Sequence, residues 1–245
     1  MTQELLFSLS EERSVFSKFN SYFETENFVA YCSPNLDEIP HWNLIYPKFK
    51  QTLIPSADEL KILKEYYQSK NISGHLAVNK SALYNIYSEE SEYFKLEKST
   101  DINFKFDVSE MSHTENELQS FCELVQKSFN LKSDTIEYFY SKMLVLQQNI
   151  NSKFFVIKSK NKIIGGCSVF QCAHDSSFMF NVATHPDFQG QKVAQTVIAY
   201  ASSHCQSPVF TYSHNELMRE TILPKVGFKS IGTITCVPLS SLVGI

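Results

Sequence analysis

The stretch THPDFQGQKVAQTVI, residues 184–198, joins an apolar run to a helical pattern through a polar turn. Small and apolar residues recur at helical spacing from Val193 to Ala201 and predict an amphipathic helix. A helix that begins just after a glycine-containing loop presents unpaired backbone N–H groups and the positive end of its dipole. Residues 189–194 therefore predict a turn that holds an anion, although a plain surface turn has a similar pattern.

The chain has 245 residues, which favours one full domain with a smaller partner. It carries 22 basic and 26 acidic residues, a net charge of -4, and no basic stripe, so we expect no nucleic-acid partner. The first residues lack the pattern of a secretory signal. No run approaches the ~18 apolar residues of a membrane span, so we expect no membrane partner either.

Six cysteines are widely spaced and form no CxxC pair. This spacing favours neither a zinc site nor a disulfide framework. We therefore expect reduced thiols, a cytoplasmic location and no metal. The cysteines are Cys32, Cys122, Cys167, Cys172, Cys205 and Cys236.

A polar segment, KSTDIN, separates two parts with different patterns, and we place a domain boundary there. Residues 1–98 are predicted to form a smaller α/β domain and residues 101–245 a second one. In the first, Ser56 and Glu59 have the spacing of a capping box and predict a helix over 57–69. The runs HLAVN and EYFKLEK predict strands.

The second part predicts a strand, NFKFDVS, two helices over about 113–129 and 134–148, and then three strands joined by short turns. Turns this short imply antiparallel neighbours. The helix of the opening stretch, a strand, a further helix and a last strand follow. The order of elements indicates an α/β fold.

This order resembles the GNAT superfamily of N-acyltransferases, with the polar loop after the fourth strand and Gly227–Phe228 opening the last one. The resemblance covers about residues 101–245. It implies a mixed sheet whose fourth and fifth strands part, with the pantetheine arm of acyl-CoA in the gap. It also implies that a loop of pattern Q/R-x-x-G-x-G/A grips the pyrophosphate. Gln189 matches the first position and Ala194 the last.

The same resemblance implies which residues bind the cofactor, acetyl-CoA or another acyl-CoA. Lys192 stands at the central glycine position of the loop. Its charge strengthens pyrophosphate binding only if the backbone has a helical φ, and its side chain can also obstruct the cofactor. We expect binding to be retained, because Gly190 and the helical pattern are intact. Asn215 is either a partner of the arm or a simple N-cap. The main chain of Val182, Ala183 and Thr184 is implied to pair with the pantetheine, and Gln189, Gly190, Gln191, Lys192, Val193 and Ala194 to surround the pyrophosphate.

The catalytic position departs from the family pattern. The resemblance implies a tyrosine, four residues before the glycine of the GF pair, as general acid on the leaving thiolate, but Leu223 stands there. We expect Pro224 to push Leu223 out of helical φ/ψ. Tyr212 and His214 are the substitute acids, otherwise a strand aromatic and a loop histidine.

A general base for the acceptor amine can come from the turn between the third and fourth predicted strands. His174 and Asp175 lie there, although the turn also fits a plain polar hairpin.

Residues 1–98 look similar to the reduced N-terminal half of some two-part GNAT proteins and lack a Q-x-x-G loop. That likeness implies a half that binds no cofactor and walls the acceptor groove. His41 and Trp42 either line the groove or serve the interface between the halves.

Two functions follow as hypotheses. The first is an acyl-CoA-dependent N-acyltransferase, most simply an acetyltransferase, acting on a primary amine of a small molecule or polypeptide. The second is a non-catalytic acyl-CoA-binding or regulatory module that has lost the general acid, suggested by Leu223 and Lys192. A Rossmann-type dinucleotide protein is disfavoured, because no G-x-G-x-x-G follows a predicted strand.

Overall fold

The computed structural model describes residues 2–18, 20–36, 40–48, 54–79, 89–97, 105–112, 114–149, 152–172 and 174–242. The chain divides into two compact units. The first comprises Met1–Tyr93 and Ile231–Ile245, and the second is Phe94–Ser230. The predicted boundary near residues 99–101 lies outside the described residues.

The helices and strands follow the predicted order closely. From the N-terminus to residue 96 they are α1 (Gln3–Phe16), β1 (Ser21–Glu24), β2 (Phe28–Cys32), β3 (Leu44–Pro47), α2 (Ala57–Ser69), β4 (His75–Asn79) and β5 (Glu89–Leu96). They continue with β6 (Val108–Glu110), α3 (Glu115–Phe129), α4 (Thr135–Asn149), β7 (Ser152–Ser159), β8 (Lys162–Gln171), β9 (Ser177–Thr184), α5 (Val193–Ser203), β10 (Val209–Ser213), α6 (Leu223–Val226) and β11 (Lys229–Pro238).

In the first unit, strands follow the order β1-β2-β3-β4-β11. The β3/β4 pair is parallel and the others are antiparallel. The capping box that predicted α2 is present, with Ser56 accepting from the Glu59 N–H and the Glu59 carboxylate accepting from the Ser56 N–H. His41 and Trp42 are both buried, and Trp42 packs its edge against Phe16 at a centroid distance of 5.9 Å.

A cluster of polar side chains is buried inside the first unit. The hydroxyl of Tyr93 donates to Glu12 Oε2 at 2.7 Å, and His41 Nδ1 lies 4.0 Å from Glu12 Oε1. On the other side of its ring, His41 Nε2 lies 2.6 Å from Ser91 Oγ and 3.9 Å from Cys236 Sγ. These contacts explain why His41 is buried: it joins α1 to two strands of its own unit.

In the second unit, strands follow the order β6-β7-β8-β9-β10. The neighbours from β6 to β9 are antiparallel, as the short turns predicted, and the β9/β10 pair is parallel. The sheet of this unit is therefore mixed. The predicted strand at 103–109 begins later than expected, at Val108. A large apolar core lies between the sheet and α5, with Val197, Ile198 and Leu223 fully buried in it.

The helical segment after β10 corrects one prediction. Leu223 keeps helical angles, φ -61° and ψ -46°, although Pro224 follows it. The chain accommodates the proline by widening into a π-helical turn over Met218–Ile222 just before α6. Because proline has no N–H and its ring crowds the preceding turn of an α-helix, the wider turn removes the conflict that we expected to displace Leu223.

We predict that Glu12 makes stability depend on pH. Burial raises the pKa of Glu12 from 4.5 to about 8, and its hydrogen bond from Tyr93 only partly opposes this. The unfolded chain releases the proton near its ordinary pKa of 4.5, so the stabilisation is complete below that pH and is lost as pH rises toward 8. Glu12→Gln keeps the shape and cannot ionise. Between about pH 5 and pH 9 its Tm should fall less than that of the wild type, by a few degrees.

Thermal unfolding followed by circular dichroism at both pH values measures this effect. Glu4→Gln is the matched control, because it removes a carboxylate from the exposed first turn of the same helix. Parallel pH profiles for the wild type and Glu12→Gln would contradict the assignment.

Candidate functional site

The strands β9 and β10 part soon after they meet. Among the described residues of the two strands, pairing is confined to Val209 with Ser177 and Phe210 with Phe178. At the parting, the hydroxyl of Thr211 donates to the Met179 carbonyl at 3.1 Å. From Met179 onward the edge of β9 that faces β10 is therefore open to another partner.

A β-bulge in β9 increases this separation. The register against β8 shifts between Gly166 and Ser168, so that β9 carries an extra residue there. Asn181 lies at the bulge with φ +53°, and its side chain donates to the Ser168 hydroxyl at 3.0 Å. A bulge bends a strand and increases its twist, which turns the end of β9 away from β10.

The end of β9 directs backbone groups toward the open edge. His185, just after the strand, donates its N–H to the Ile164 carbonyl of β8 at 2.8 Å. Because successive residues of a strand direct their N–H groups to opposite edges, the N–H of Thr184 points toward β10. No β10 residue reaches it, and it donates instead to the hydroxyl of Ser128 on α3 at 3.2 Å.

The turn between β9 and α5 is exposed and has an unusual backbone. Gln189, Gly190, Gln191 and Lys192 are all exposed. Gly190 has φ +74° and Lys192 φ +68°, so two left-handed residues flank Gln191. Alternation of left-handed and right-handed residues turns successive N–H groups toward one side, which is the backbone pattern of an anion-binding nest.

Lys192 does not have the helical φ on which its favourable role depended. At φ +68° and ψ 18° it holds the left-handed conformation that glycine adopts without strain, at a cost of roughly 1 kcal/mol. This backbone is one that the glycine implied here by the resemblance would adopt without strain. The lysine keeps that backbone geometry and adds a cationic side chain on the solvent side of the turn.

The start of α5 lies unusually close to the sheet. A Cβ added to Gly165 of β8 would come within 2.1 Å of Val193 Cγ1. Val193, the first residue of α5, is 1% exposed. Gly165 therefore allows the helix to begin against the sheet, next to the end of β9.

The first turn of α5 leaves backbone donors available. The first closed helical hydrogen bond joins the Thr196 N–H to the Lys192 carbonyl at 2.9 Å. The N–H groups of Val193, Ala194 and Gln195 precede it, and an α-helix has no internal acceptor for them. Together with the helix dipole, they favour an anion at the exposed turn.

A second cation reaches the turn from outside the predicted stretch. Lys105 Nζ lies 3.5 Å from the Gln191 carbonyl and 5.2 Å from the centroid of the Phe106 ring. Sequence reasoning missed Lys105 and also Ser128, because both meet the site only through the tertiary fold. Neither residue belongs to a local motif that could have identified it.

Asn215 serves as an N-cap in this structure. Its Oδ1 accepts from the Met218 N–H at 3.0 Å, and its carbonyl accepts from the Arg219 N–H at 3.0 Å. The structure thus shows the N-cap alternative for Asn215, and its contact with the pantetheine arm stays a prediction.

The two substitute acids occupy different environments. Tyr212 is half-buried, with its ring 6.1 Å from Phe180 and 6.3 Å from Phe178, so it lies beside the part of β9 that leads into the bulge. His214 follows β10 and is exposed. Leu223, at the position where the resemblance implies a tyrosine, is fully buried in the apolar core.

The proposed general bases lie at the other end of β9. His174 and Asp175 form the exposed hairpin before Ser177, whereas the turn with Gly190 follows Thr184. The length of β9 separates them by about 20 Å, at roughly 3.3 Å per residue. The structure therefore does not bring them to the anion-binding turn.

Three of the four cysteines of this unit are poor nucleophiles. Burial raises the pKa of Cys122 and of Cys205 to about 12, and raises that of Cys167 well above its usual range. A thiol reacts as its thiolate, which these environments disfavour. All six cysteines of the chain are free of disulfides.

In the described part of the chain, no group of three or more His, Cys, Asp or Glu side chains is placed to hold a metal ion. None of the described helices has the length and apolar character needed to cross a bilayer.

Comparisons with known proteins agree with this geometry. Residues 151–230 match the family model described as an acetyltransferase (GNAT) domain. A search of curated proteins finds no match. The predicted resemblance to the GNAT superfamily is confirmed by the family model and by solved structures of the same fold.

Three solved structures illustrate the likeness. A GCN5-related N-acetyltransferase from Kribbella flavida has a TM-score of 0.71 at 8% identity, covering 97% of this chain and 96% of its own. A conserved protein of unknown function from Staphylococcus epidermidis has a TM-score of 0.67 at 11% identity, with 90% and 94% covered. A GCN5-related N-acetyltransferase from Sphaerobacter thermophilus has a TM-score of 0.56 at 8% identity, with 87% and 81% covered. Identities this low show a common fold, and the predicted α/β class with a mixed sheet is confirmed.

We predict that Gly165 and Val193 are energetically coupled. Gly165→Ala should destabilise the protein by about 1–3 kcal/mol, because its methyl group has no room beside Val193. Adding Val193→Ala should restore the space, so the double variant should lose at least ~1 kcal/mol less than the sum of the single variants. Urea unfolding of all four proteins measures this coupling.

Gly190→Ala is the comparison variant. A Cβ at Gly190 meets nothing within 4 Å, so its cost is limited to the left-handed φ. The losses of stability caused by Gly190→Ala and by Val193→Ala should be additive in the double variant. Additive losses for Gly165→Ala and Val193→Ala would show that the close approach does not constrain α5.

Proposed function

We propose that this protein is an acyl-CoA-dependent N-acyltransferase, most simply an acetyltransferase, that acts on a primary amine. The observation that carries the proposal is the open edge of β9 beside an exposed turn of unpaired N–H groups at the start of α5. An extended arm with amides fits the first feature, and a diphosphate fits the second. Coenzyme A carries both groups in one molecule.

The turn supplies the contacts for the pyrophosphate. The turn and the start of α5 supply the N–H groups of Gly190, Lys192, Val193 and Ala194, and the exposed Lys192 adds a positive charge. Lys105 adds a second charge next to the Gln191 carbonyl. Gln189 and Gln191 border the same site.

The pantetheine arm follows the edge of β9 over Val182, Ala183 and Thr184. Main-chain N–H and C=O groups at an unpaired edge need partners, and amides of the arm provide them. Asn215 contributes its side-chain nitrogen at the far side of the gap. In this arrangement the thioester lies near the bulge, close to the ring of Tyr212.

Transfer to an amine needs three conditions at the thioester. The amine must be neutral and aligned with the carbonyl, the oxyanion of the tetrahedral intermediate must be stabilised, and the thiolate must leave. Alignment alone supplies on the order of 7 kcal/mol or more. A free thiol has a pKa of ~8.5, so a proton donor helps its departure without being indispensable. We assign that donor to Tyr212, with His214 as the alternative.

A non-catalytic acyl-CoA-binding or regulatory module is the second candidate. It is favoured by one observation, the full burial of Leu223 where the family carries its general acid. Coenzyme A binding without transfer to any amine would support this module over the enzyme.

The acceptor and the role of residues 1–98 belong to the same proposal. The net charge of -4 favours a cationic acceptor only mildly. We assign no cofactor to residues 1–98, whose sequence has no Q-x-x-G loop.

We predict that Lys192 strengthens coenzyme A binding by its charge. Lys192→Gly removes the charge and keeps the left-handed backbone without strain, so affinity should fall about 3- to 10-fold. Lys192→Ala loses the charge and keeps the strain, so its affinity should be no better. Isothermal titration calorimetry at low and high salt measures both, and the difference from wild type should shrink at high salt.

Lys61→Ala removes an exposed lysine of α2 in the other unit and is the matched control. Unchanged affinity of both Lys192 variants for coenzyme A would show that its phosphates do not bind at this turn.

We predict that Tyr212 acts in the chemical step. Tyr212→Phe keeps the ring contacts with Phe178 and Phe180 and removes only the hydroxyl. Its kcat should fall about 100-fold or more while the KM for acetyl-CoA stays the same. Release of free thiol over a panel of amines provides the assay.

His214→Gln is assayed in parallel. If kcat is lost in His214→Gln and normal in Tyr212→Phe, the general acid is His214 and not Tyr212.

A further inference from the structure

The hydroxyl of Ser128 occupies a backbone donor at the open edge of β9. Ser128 lies one residue before the end of α3, and its Oγ accepts from the Thr184 N–H at 3.2 Å. That N–H points away from β8, as the opposite direction of the His185 N–H shows. Ser128 therefore accepts the hydrogen bond that a residue of the neighbouring strand β10 would accept in a continuous sheet.

Thr184 offers a second polar group at the same place. Its side-chain Oγ1 is buried and has no hydrogen-bond partner among the described residues. At the open edge, the N–H of Thr184 thus donates to the Ser128 side chain, and the hydroxyl of Thr184 has no partner among the described residues. Buried polar groups of this kind are normally satisfied, so this position is suited to a ligand with both acceptors and donors.

We propose that Ser128 is a placeholder that the pantetheine arm of coenzyme A displaces from Thr184. This inference rests on the proposed function and adds to it a residue that tunes affinity for one part of the cofactor. In the free protein the hydroxyl of Ser128 satisfies the N–H. When the cofactor binds, an amide carbonyl of the arm accepts from the same N–H, and Ser128 gives it up.

The thermodynamic consequence has a definite sign. A hydrogen bond that exists only in the free protein stabilises that state and opposes binding to the same extent. Removing the hydroxyl therefore weakens the free protein and tightens the complex. If Ser128 merely supported the fold, removing its hydroxyl would destabilise both the free protein and the complex, or would leave the binding affinity unchanged.

Calorimetric titration of the full chain tests the proposal with Ser128→Ala and two probes. Coenzyme A should bind the variant about 2- to 10-fold more tightly than it binds wild type, the range expected for one net hydrogen bond. Adenosine 3′-phosphate 5′-diphosphate has the phosphates without the arm, so its affinity should be the same for both proteins.

Ser120→Ala is the matched control. Ser120 lies on the same helix, is exposed, and its hydroxyl donates to the Asn116 carbonyl at 2.8 Å. Both changes replace serine by alanine on the same helix, and only Ser128→Ala removes the Thr184 contact. Without ligand, Ser128→Ala should melt below Ser120→Ala, and only Ser128→Ala should change affinity for coenzyme A.

Ser128→Cys provides a second variant if Ser128→Ala folds poorly. A thiol is a weaker acceptor in nearly the same volume, so its affinity should lie between those of wild type and Ser128→Ala.

Equal or weaker binding of coenzyme A by the variants, with normal binding by wild type, would overturn this inference and leave the proposed function intact. Equal tightening of the probe that lacks the arm would also overturn it. Absence of coenzyme A binding by wild type would overturn the proposed function and this inference together.

Discussion

The contact between Gly165 and Val193 fixes the geometry on which the second unit depends. Because Gly165 has no side chain, the first turn of α5 reaches the sheet beside the end of β9. This approach sets the donors of the helix start next to the open strand edge. A larger residue at Gly165 would move the helix away and separate two features that contact one ligand in the proposed function. The neighbouring Gly166 relieves the other face, where an added Cβ would approach the ring of Phe121 on α3.

In the proposed function, binding and chemistry rest on different kinds of groups. The proposed contacts with the cofactor are mainly main-chain groups at Thr184 and around Gly190, which tolerate a wide range of side chains. The proposed proton donor is a single side chain, and Leu223 removes the usual one. The backbone can therefore preserve cofactor recognition while the catalytic side chain changes position or is lost.

Local patterns in the sequence predicted much of this fold. The capping box at Ser56 and the helical repeat of α5 indicated helices, and the short turns indicated antiparallel strands, because each signal acts over a few residues. The strand near Val108 began later than predicted, since its short apolar run has no strong boundary signal. The π-helical turn before Pro224 was missed, because several ways of accommodating a proline exist and packing selects among them. The candidate site was predicted from the resemblance, whereas Ser128 and Lys105 reach it only through tertiary contacts that no spacing reveals.

The early parting of β9 and β10 leaves an unpaired strand edge inside the sheet of the second unit. Such edges are templates for the addition of a foreign strand, and proteins usually cover them. By occupying the Thr184 N–H, Ser128 removes one of the hydrogen-bonding positions that an invading chain would use. The proposed cofactor site thus coincides with a strand edge that is open to a foreign strand in the ligand-free chain, and a bound cofactor would cover that edge during storage or heating.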